Sequence, residues 1–350
     1  MGDHSSWTLD CRAFSLADEI RRIQPTVSET YEFLHQNPEL GKQEIKAHEF
    51  IETRLRKIGF DTFEPSMSAP TAVIAILDTG RPGPMIALRA EMDARPLEAG
   101  VDEPVDHQPR STIPAPMHNC GHDAHAAILL GTAELLFSKK DKVSGKIIFL
   151  FQPAEETPGG ADDIVRDGIL PRLGVQRIFA AHSAPGLAVG TISLAPGPSL
   201  AGSNYFNVKL TGRGSHAAVP YEGDDVLLLA THLVQQLSLL PARRVDIANR
   251  PLVVSVTKFV ADGCASNALP TTAEIHGTVR AFEDPVSETT GLSLEQMLHD
   301  EVTRFAAANR ISADWTFHVG SPPTVNDLAL SADIIPKLAP SSIPFEQQLG

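Results

Sequence analysis

Hydrophobic positions in the first sixty residues recur at helical spacing. Ile20, Ile23, Val27 and Leu34 fall on one face, as do Ala47, Ile51, Leu55 and Ile58, with Gly59 as a stop. The spacing predicts two helices within residues 16–58, with Pro25 starting or kinking the first. The period then changes. Residues 71–77, 85–88, 147–151 and 175–181 are short, nearly continuous apolar runs, as strands buried on both faces are. A helical pattern over 124–136 lies among them. This alternation predicts an α/β domain with a largely parallel sheet.

A turn-rich stretch, Ala195-Pro196-Gly197-Pro198, suits a hinge. Beyond it, strand patterns at 205–211, 252–260, 273–282 and 314–319 alternate with helical patterns at 225–240 and 292–309. That order is β-α-β-β-α-β, the split arrangement of a small two-layer domain. Pro322-Pro323 marks its exit.

Composition adds bounds. At 350 residues the chain exceeds what one core usually holds, so two domains are expected. Its net charge of −14 argues against nucleic acid and against an anionic membrane as partners. The longest apolar stretch, 126–137, is too short to span a bilayer and contains Glu134. Cys11, Cys120 and Cys264 are widely spaced and imply no disulfide framework. Together with a start that has neither a basic cluster nor an apolar core, they set a reducing, cytoplasmic location as the expectation.

The candidate chemistry is concentrated. His118-Asn119-Cys120-Gly121-His122-Asp123-Ala124-His125 places a thiol, three imidazoles and a carboxylate together, and Glu155-Glu156 follows the 147–151 run. A metal-activated water needs such a set: groups that hold the ion and a separate base that takes the proton. Arg89-Ala90-Glu91-Met92-Asp93 follows a second run and His182 a third. Ligands collect outside the carboxyl ends of parallel strands, so three strand exits bearing acids or His are coherent with one site. Asp123 and His125 are expected to cap or line the helix that follows.

Five motifs in order carry a resemblance: residues 87–93, 117–123, 151–156, Gly214-Ser215-His216-Ala217-Ala218 and Ser266-Asn267-Ala268-Leu269-Pro270. From about Leu34 to Asn326 the chain resembles the aminoacylase and carboxypeptidase-G superfamily of metal-dependent amide hydrolases. The branch it resembles contains hippurate hydrolase, indole-acetyl-amino-acid hydrolases and aminobenzoyl-glutamate hydrolase. The resemblance implies two divalent ions (Zn, Mn or Co) held by Cys120, His122, Glu156 and His182, with Cys120 bridging them. It implies Glu155 as general base, Asp93 as a support of the ligands, and His216 as an oxyanion donor, often in the partner subunit's site. Asn267 and Arg280 would hold the substrate's free carboxylate. Expected activity is hydrolysis of N-acyl or N-aroyl amino acids, a small-molecule substrate, by a homodimer. Deacetylation of N-acetyl-diaminopimelate and a non-catalytic metal-binding dimer are the alternatives.

The same resemblance implies residues 1–197 as the first part of the catalytic domain, 198–321 as an inserted lid and dimerisation domain, and 322–350 as the incomplete start of a return to the first. Two departures stand out. Glu91 occupies a position where the branch usually has Asp. After His318 there is no further His, although relatives supply one more ligand there, so truncation and weakened metal binding are expected.

Overall fold

The first helix, α1 (Leu16–Gln36), runs straight through Pro25, because burial of Ile23 and Leu34 outweighs one lost helix hydrogen bond. Ile20, expected on the buried face, is half exposed instead. Helix α2 (Ile45–Ile58) buries Ala47, Ile51 and Leu55 and stops at Gly59, whose φ of +120° lets its N–H close the last turn. This computed structural model describes residues 16–97, 101–261, 263, 265–286, 293–338 and 345–347. Cys11 and Cys264 lie outside the described residues.

Strands β1 (Val73–Asp78) and β2 (Met85–Glu91) come next, followed by the two-residue strands β3 (Arg95–Pro96) and β4 (Pro116–Met117), which pair with each other. Helix α3 (His122–Ser138), strand β5 (Lys146–Gln152), short helices α4 (Ala161–Arg166) and α5 (Ile169–Leu173) and strand β6 (Arg177–Ala180) follow. The main sheet has the order β1-β5-β2-β6. The β5–β2 and β2–β6 pairings are parallel, whereas β1 runs antiparallel along the sheet edge. A mostly parallel sheet with one antiparallel edge strand is a common solution for a sheet covered on both faces.

Strand β5 shows why its sequence is apolar throughout. Ile147, Phe149 and Phe151 pack in the core beneath α2 and α3, while Ile148 and Leu150 pack on the opposite face with Ile164 and Ile169 of α4 and α5. Alternate side chains thus serve two cores, and every position from Ile147 to Gln152 is buried. Helix α3 is apolar enough to lie between α1 and the sheet. At Gly131 a Cβ would stand 2.4 Å from Cγ2 of Val27, so glycine lets α1 and α3 approach.

The chain divides into two compact units, one ending at Pro185 and one beginning at Gly186. The second contains β7 (Ile192–Leu194), β8 (Gly197–Leu200), β9 (Gly202–Thr211), α6 (Val226–Arg244), β10 (Leu252–Val260), β11 (Thr272–Ala281), α7 (Leu294–Ala308), β12 (Ser312–Val319), β13 (Thr324–Asn326), α8 (Leu328–Leu338) and β14 (Phe345–Gln347). Its main sheet is antiparallel with order β10-β11-β9-β12, and α6 and α7 cover one face. Alternating burial along β9 and β11 sends Phe206, Val208, Ile275 and Val279 to the core and Tyr205, Lys209, Glu274 and Arg280 outward. Strand β13 pairs with β8 and β14 with β7. Among the described residues, no helix is long and apolar enough to cross a membrane.

Candidate metal centre

The candidate ligands gather where β2, β5 and β6 end. The turn before α3 is set by Gly121, whose φ of +90° is open to few other residues, and it delivers Cys120 and His122 to the sheet's carboxyl edge. Past β5, Ala154 adopts a left-handed φ of +52°. Its N–H donates to Glu44 Oε1 at 2.7 Å, so a buried carboxylate at the start of α2 holds the turn that presents Glu155 and Glu156. His182 stands just beyond β6.

His122 is fully buried and its Nδ1–H points to the main-chain oxygen of Asp93 (2.9 Å) and to Asp93 Oδ1 (3.2 Å). That bond settles the tautomer and leaves Nε2 as the lone-pair nitrogen. Nε2 is buried and has no hydrogen-bond partner. It faces Glu155 Oε2 at 3.8 Å. The second Asp93 oxygen accepts the Glu156 N–H at 3.0 Å, so Asp93 ties the His122 ring to the acidic turn. Glu156 is ion-paired with Arg95 at 3.3 Å. His182 repeats the arrangement of His122: Nδ1–H donates to the Ser183 main-chain oxygen at 2.8 Å, and Nε2 lies 3.5 Å from Cys120 Sγ.

Three donor triads result among the described residues, Cys120–His122–His182, His122–Glu155–Glu156 and Glu91–His122–His125, each with its donor atoms within 4.8 Å of one another, and His122 belongs to all three. Soft sulfur, borderline nitrogen and hard oxygen in one place suit Zn²⁺, Mn²⁺ or Co²⁺. The unpartnered Nε2 of His122 is the observation that fits an ion best, since a buried imidazole nitrogen without a partner is otherwise costly.

The electrostatics divide the roles. The neighbouring imidazoles of His122 and His182 lower the Cys120 thiol, favouring thiolate. The hydrogen bond to Cys120 raises His182 to about 9. Burial alone would lower His122, but Asp93 and the thiol outweigh it and raise it. Partial burial, then the adjacent Glu156 carboxylate, raise Glu155, moving a carboxylate toward the range of a useful base.

Asp123 and His125 line the first turns of α3, where Asp123 accepts the Ala124 backbone N–H at 2.8 Å, but each also has a partner off the helix. Gly121 is the N-cap residue, Asp123 is bonded to His35 Nδ1 at 2.6 Å, and His125 is bonded to Glu91 at 3.1 Å. Burial lowers His118 to about 4, which keeps its ring neutral away from the triads. Glu44, Arg95 and Ser183 carried no signal in the sequence: each acts through contacts with residues remote along the chain.

In the second unit, His216 forms a β-bridge with Ala268, and Asn267 Nδ2 stands 3.5 Å from His216 Nε2. Main-chain bonds from Ala217 to Asn267 and from Leu269 to Ser215 hold the two loops side by side. Arg280 lies on the outward face of β11 with its guanidinium 5.7 Å over the Tyr205 ring. Asn267 and Arg280 are therefore not neighbours within one chain. The strand from Thr272 to Arg280, which lies between them in sequence, is itself roughly 26 Å long at about 3.3 Å per residue.

Peptidase family M20/M25/M40 matches residues 87–340. An IAA-amino acid hydrolase ILR1-like 4 of Arabidopsis thaliana is 38% identical over 85% of this chain and 65% of its own length. An N-acyl-L-amino acid amidohydrolase of Geobacillus stearothermophilus is 37% identical over 84% of this chain and 76% of its own. An N-acetyl-L-cysteine deacetylase of Bacillus subtilis is 36% identical over 85% and 68%. The chain thus spans about two thirds to three quarters of the length of these curated relatives. A dinuclear metal binding peptidase of Bacillus subtilis superimposes with a TM-score of 0.75 and 28% identity, covering 94% of this chain and 84% of that one.

Proposed function

This chain belongs to peptidase family M20/M25/M40, and from that premise we propose that it hydrolyses the amide bond of N-acyl or N-aroyl amino acids. The observation that carries this reading is the buried, unpartnered His122 Nε2 set among Cys120, His182, Glu155 and Glu156. Cys120, His122, Glu156 and His182 would hold two divalent ions. When bound, those ions supply Lewis acidity that polarises the amide carbonyl and acidifies the attacking water.

The chain's own residues do the rest. Glu155, with its carboxylate raised by burial and by Glu156, takes the proton from the attacking water and returns it to the leaving amine. Asp93 keeps His122 in the tautomer whose Nε2 faces the donors. His216 donates to the oxygen on which charge develops. Arg280 receives the substrate carboxylate, for which a planar guanidinium is the best partner. Asn267 is the second residue proposed for the same carboxylate.

Purified chain supplied with Zn²⁺, Mn²⁺ or Co²⁺ is expected to release free amine from hippurate-like, indole-acetyl or N-acetyl amino acids. The substrate panel should include N-acetyl-diaminopimelate, because preference for it would replace the acyl-amino-acid reading. Glu155→Gln should reduce kcat by about 10²–10⁴-fold while leaving bound metal unchanged. Turnover that survives Glu155→Gln would sink the assignment.

A further inference from the structure

Glu91 and His125 have no part in the reaction just described, yet both are buried at the edge of its site. His125 Nδ1 lies 3.1 Å from Glu91 Oε2, and the other Glu91 oxygen pairs with Arg89, which also donates to Gln152 at 2.8 Å. At the far side of the ring, His125 Nε2 accepts the backbone N–H of Ser183 at 2.9 Å. A backbone amide can only donate, so Nε2 carries the lone pair and Nδ1 the proton. Glu91, His122 and His125 also have clustered donor atoms, but both nitrogens of His125 are already committed.

Ser183 is the hub of this arrangement. It follows His182, accepts the His182 Nδ1–H on its own main-chain oxygen, and donates its hydroxyl to the Cys120 main-chain oxygen at 3.2 Å. A Cβ at Gly121 would stand 2.6 Å from Ser183 Oγ and 3.4 Å from His125 Nε2, so glycine is what admits the close approach. The extra methylene of Glu91 also finds a use. Aspartate would fall short by about 1.5 Å, one carbon–carbon bond, and lose the 3.1 Å contact with His125.

We propose that His125, oriented by Glu91, is a positioning residue that fixes Ser183 and thereby sets His182 opposite Cys120. This rests on reading Cys120 and His182 as metal ligands. Partners of this kind, one bond removed from the ligands, are worth about 10–100-fold in metal affinity.

The test is titration of the metal-free full-length chain with Co²⁺, followed through the thiolate-to-cobalt absorption band and a binding isotherm. His125→Asn retains a donor near Nδ1 but has nothing that reaches Ser183. His125→Gln extends an amide oxygen to the position of Nε2. His125→Asn should bind Co²⁺ about 10–100-fold more weakly with a shifted band, and His125→Gln should recover most of the loss. Glu91→Asp gives the same reading should His125→Asn fail to fold, with weakened binding expected and unchanged binding overturning the inference. Equal Co²⁺ binding by wild type and His125→Asn overturns it outright, as does equal loss in the Asn and Gln variants, which would mean packing alone. A wild-type chain lacking the band, indistinguishable from Cys120→Ser, removes the ligand reading itself. A wild-type band with unaffected variants removes only the role of His125.

Discussion

Among single residues, the protons on Cys120 and His182 decide when the site can accept an ion. The hydrogen bond to Cys120 raises His182 to about 9 from an ordinary 6.5, and the imidazolium must lose that proton before its Nε2 can act as a donor. Apparent Zn²⁺ affinity should therefore climb as pH rises toward about 9, with proton release measurable by calorimetry in buffers of different ionisation enthalpy. In the metal-free chain the same shift has the opposite consequence. A raised folded-state value stabilises the fold fully below the ordinary imidazole value, and the contribution is lost as pH rises through about 9. Metal affinity that stays flat over this interval would contradict the assignment of His182. Candidate donors could be picked out in the sequence because Cys120 with His122, and Glu155 with Glu156, sit in dense local clusters. Asp93's double duty was not, because it depends on the Asp93 main-chain oxygen and carboxylate both reaching residues at least 29 positions away.

At the scale of elements, β5 carries the first unit. Phe149 is fully buried and meets Phe60 edge-on with ring centres 5.5 Å apart. Phe149→Ala should cost about 3–5 kcal/mol in urea denaturation, by lost transfer energy and the cavity left behind. Val253→Ala on the half-exposed side of β10 should cost less than about 0.5 kcal/mol, and comparable losses would mean that β5 is not the central element described here. The apolar run of β5 announced it well, since residues buried on both faces show no polar alternation, whereas the edge strand β6, expected buried on both faces, has none of its residues buried. The direction of β1 was invisible. Its sequence is as apolar as its neighbours', and only pairing with β5 as an antiparallel edge tells them apart. The exposure of Ile20 was missed for a related reason: helical spacing names a face but not where the packing partner ends.

Across the whole molecule, the two compact units have separate cores, one around β5 and one between the antiparallel sheet and α6 and α7. All the candidate ligands belong to the first unit. Saturating Zn²⁺ should raise the calorimetric transition of that unit alone, by about 2.7 kcal/mol at a hundredfold excess over Kd, and leave the second in place. A single transition that moves as a whole, or none that moves, would refute the separation of stability between the units. The βαββαβ order of the second unit was readable from the sequence because period-two strands and period-3.6 helices alternate cleanly there. The sequence places Asn267 and Arg280 at the two ends of a turn-plus-strand, and β11 is that strand.

By itself, the sequence determined the main element types, the mixed α/β class and the family, and it named the residues to examine for ion binding. Each of these follows from local period, composition or short motifs, which act over a few residues. Only the tertiary structure decided which nitrogen of each histidine faces the site, that Asp93 links His122 to the acidic turn, and that Glu91 reaches His125. Those facts depend on hydrogen bonds between β2, α3, β5 and β6, whose residues are neighbours only after the sheet has formed.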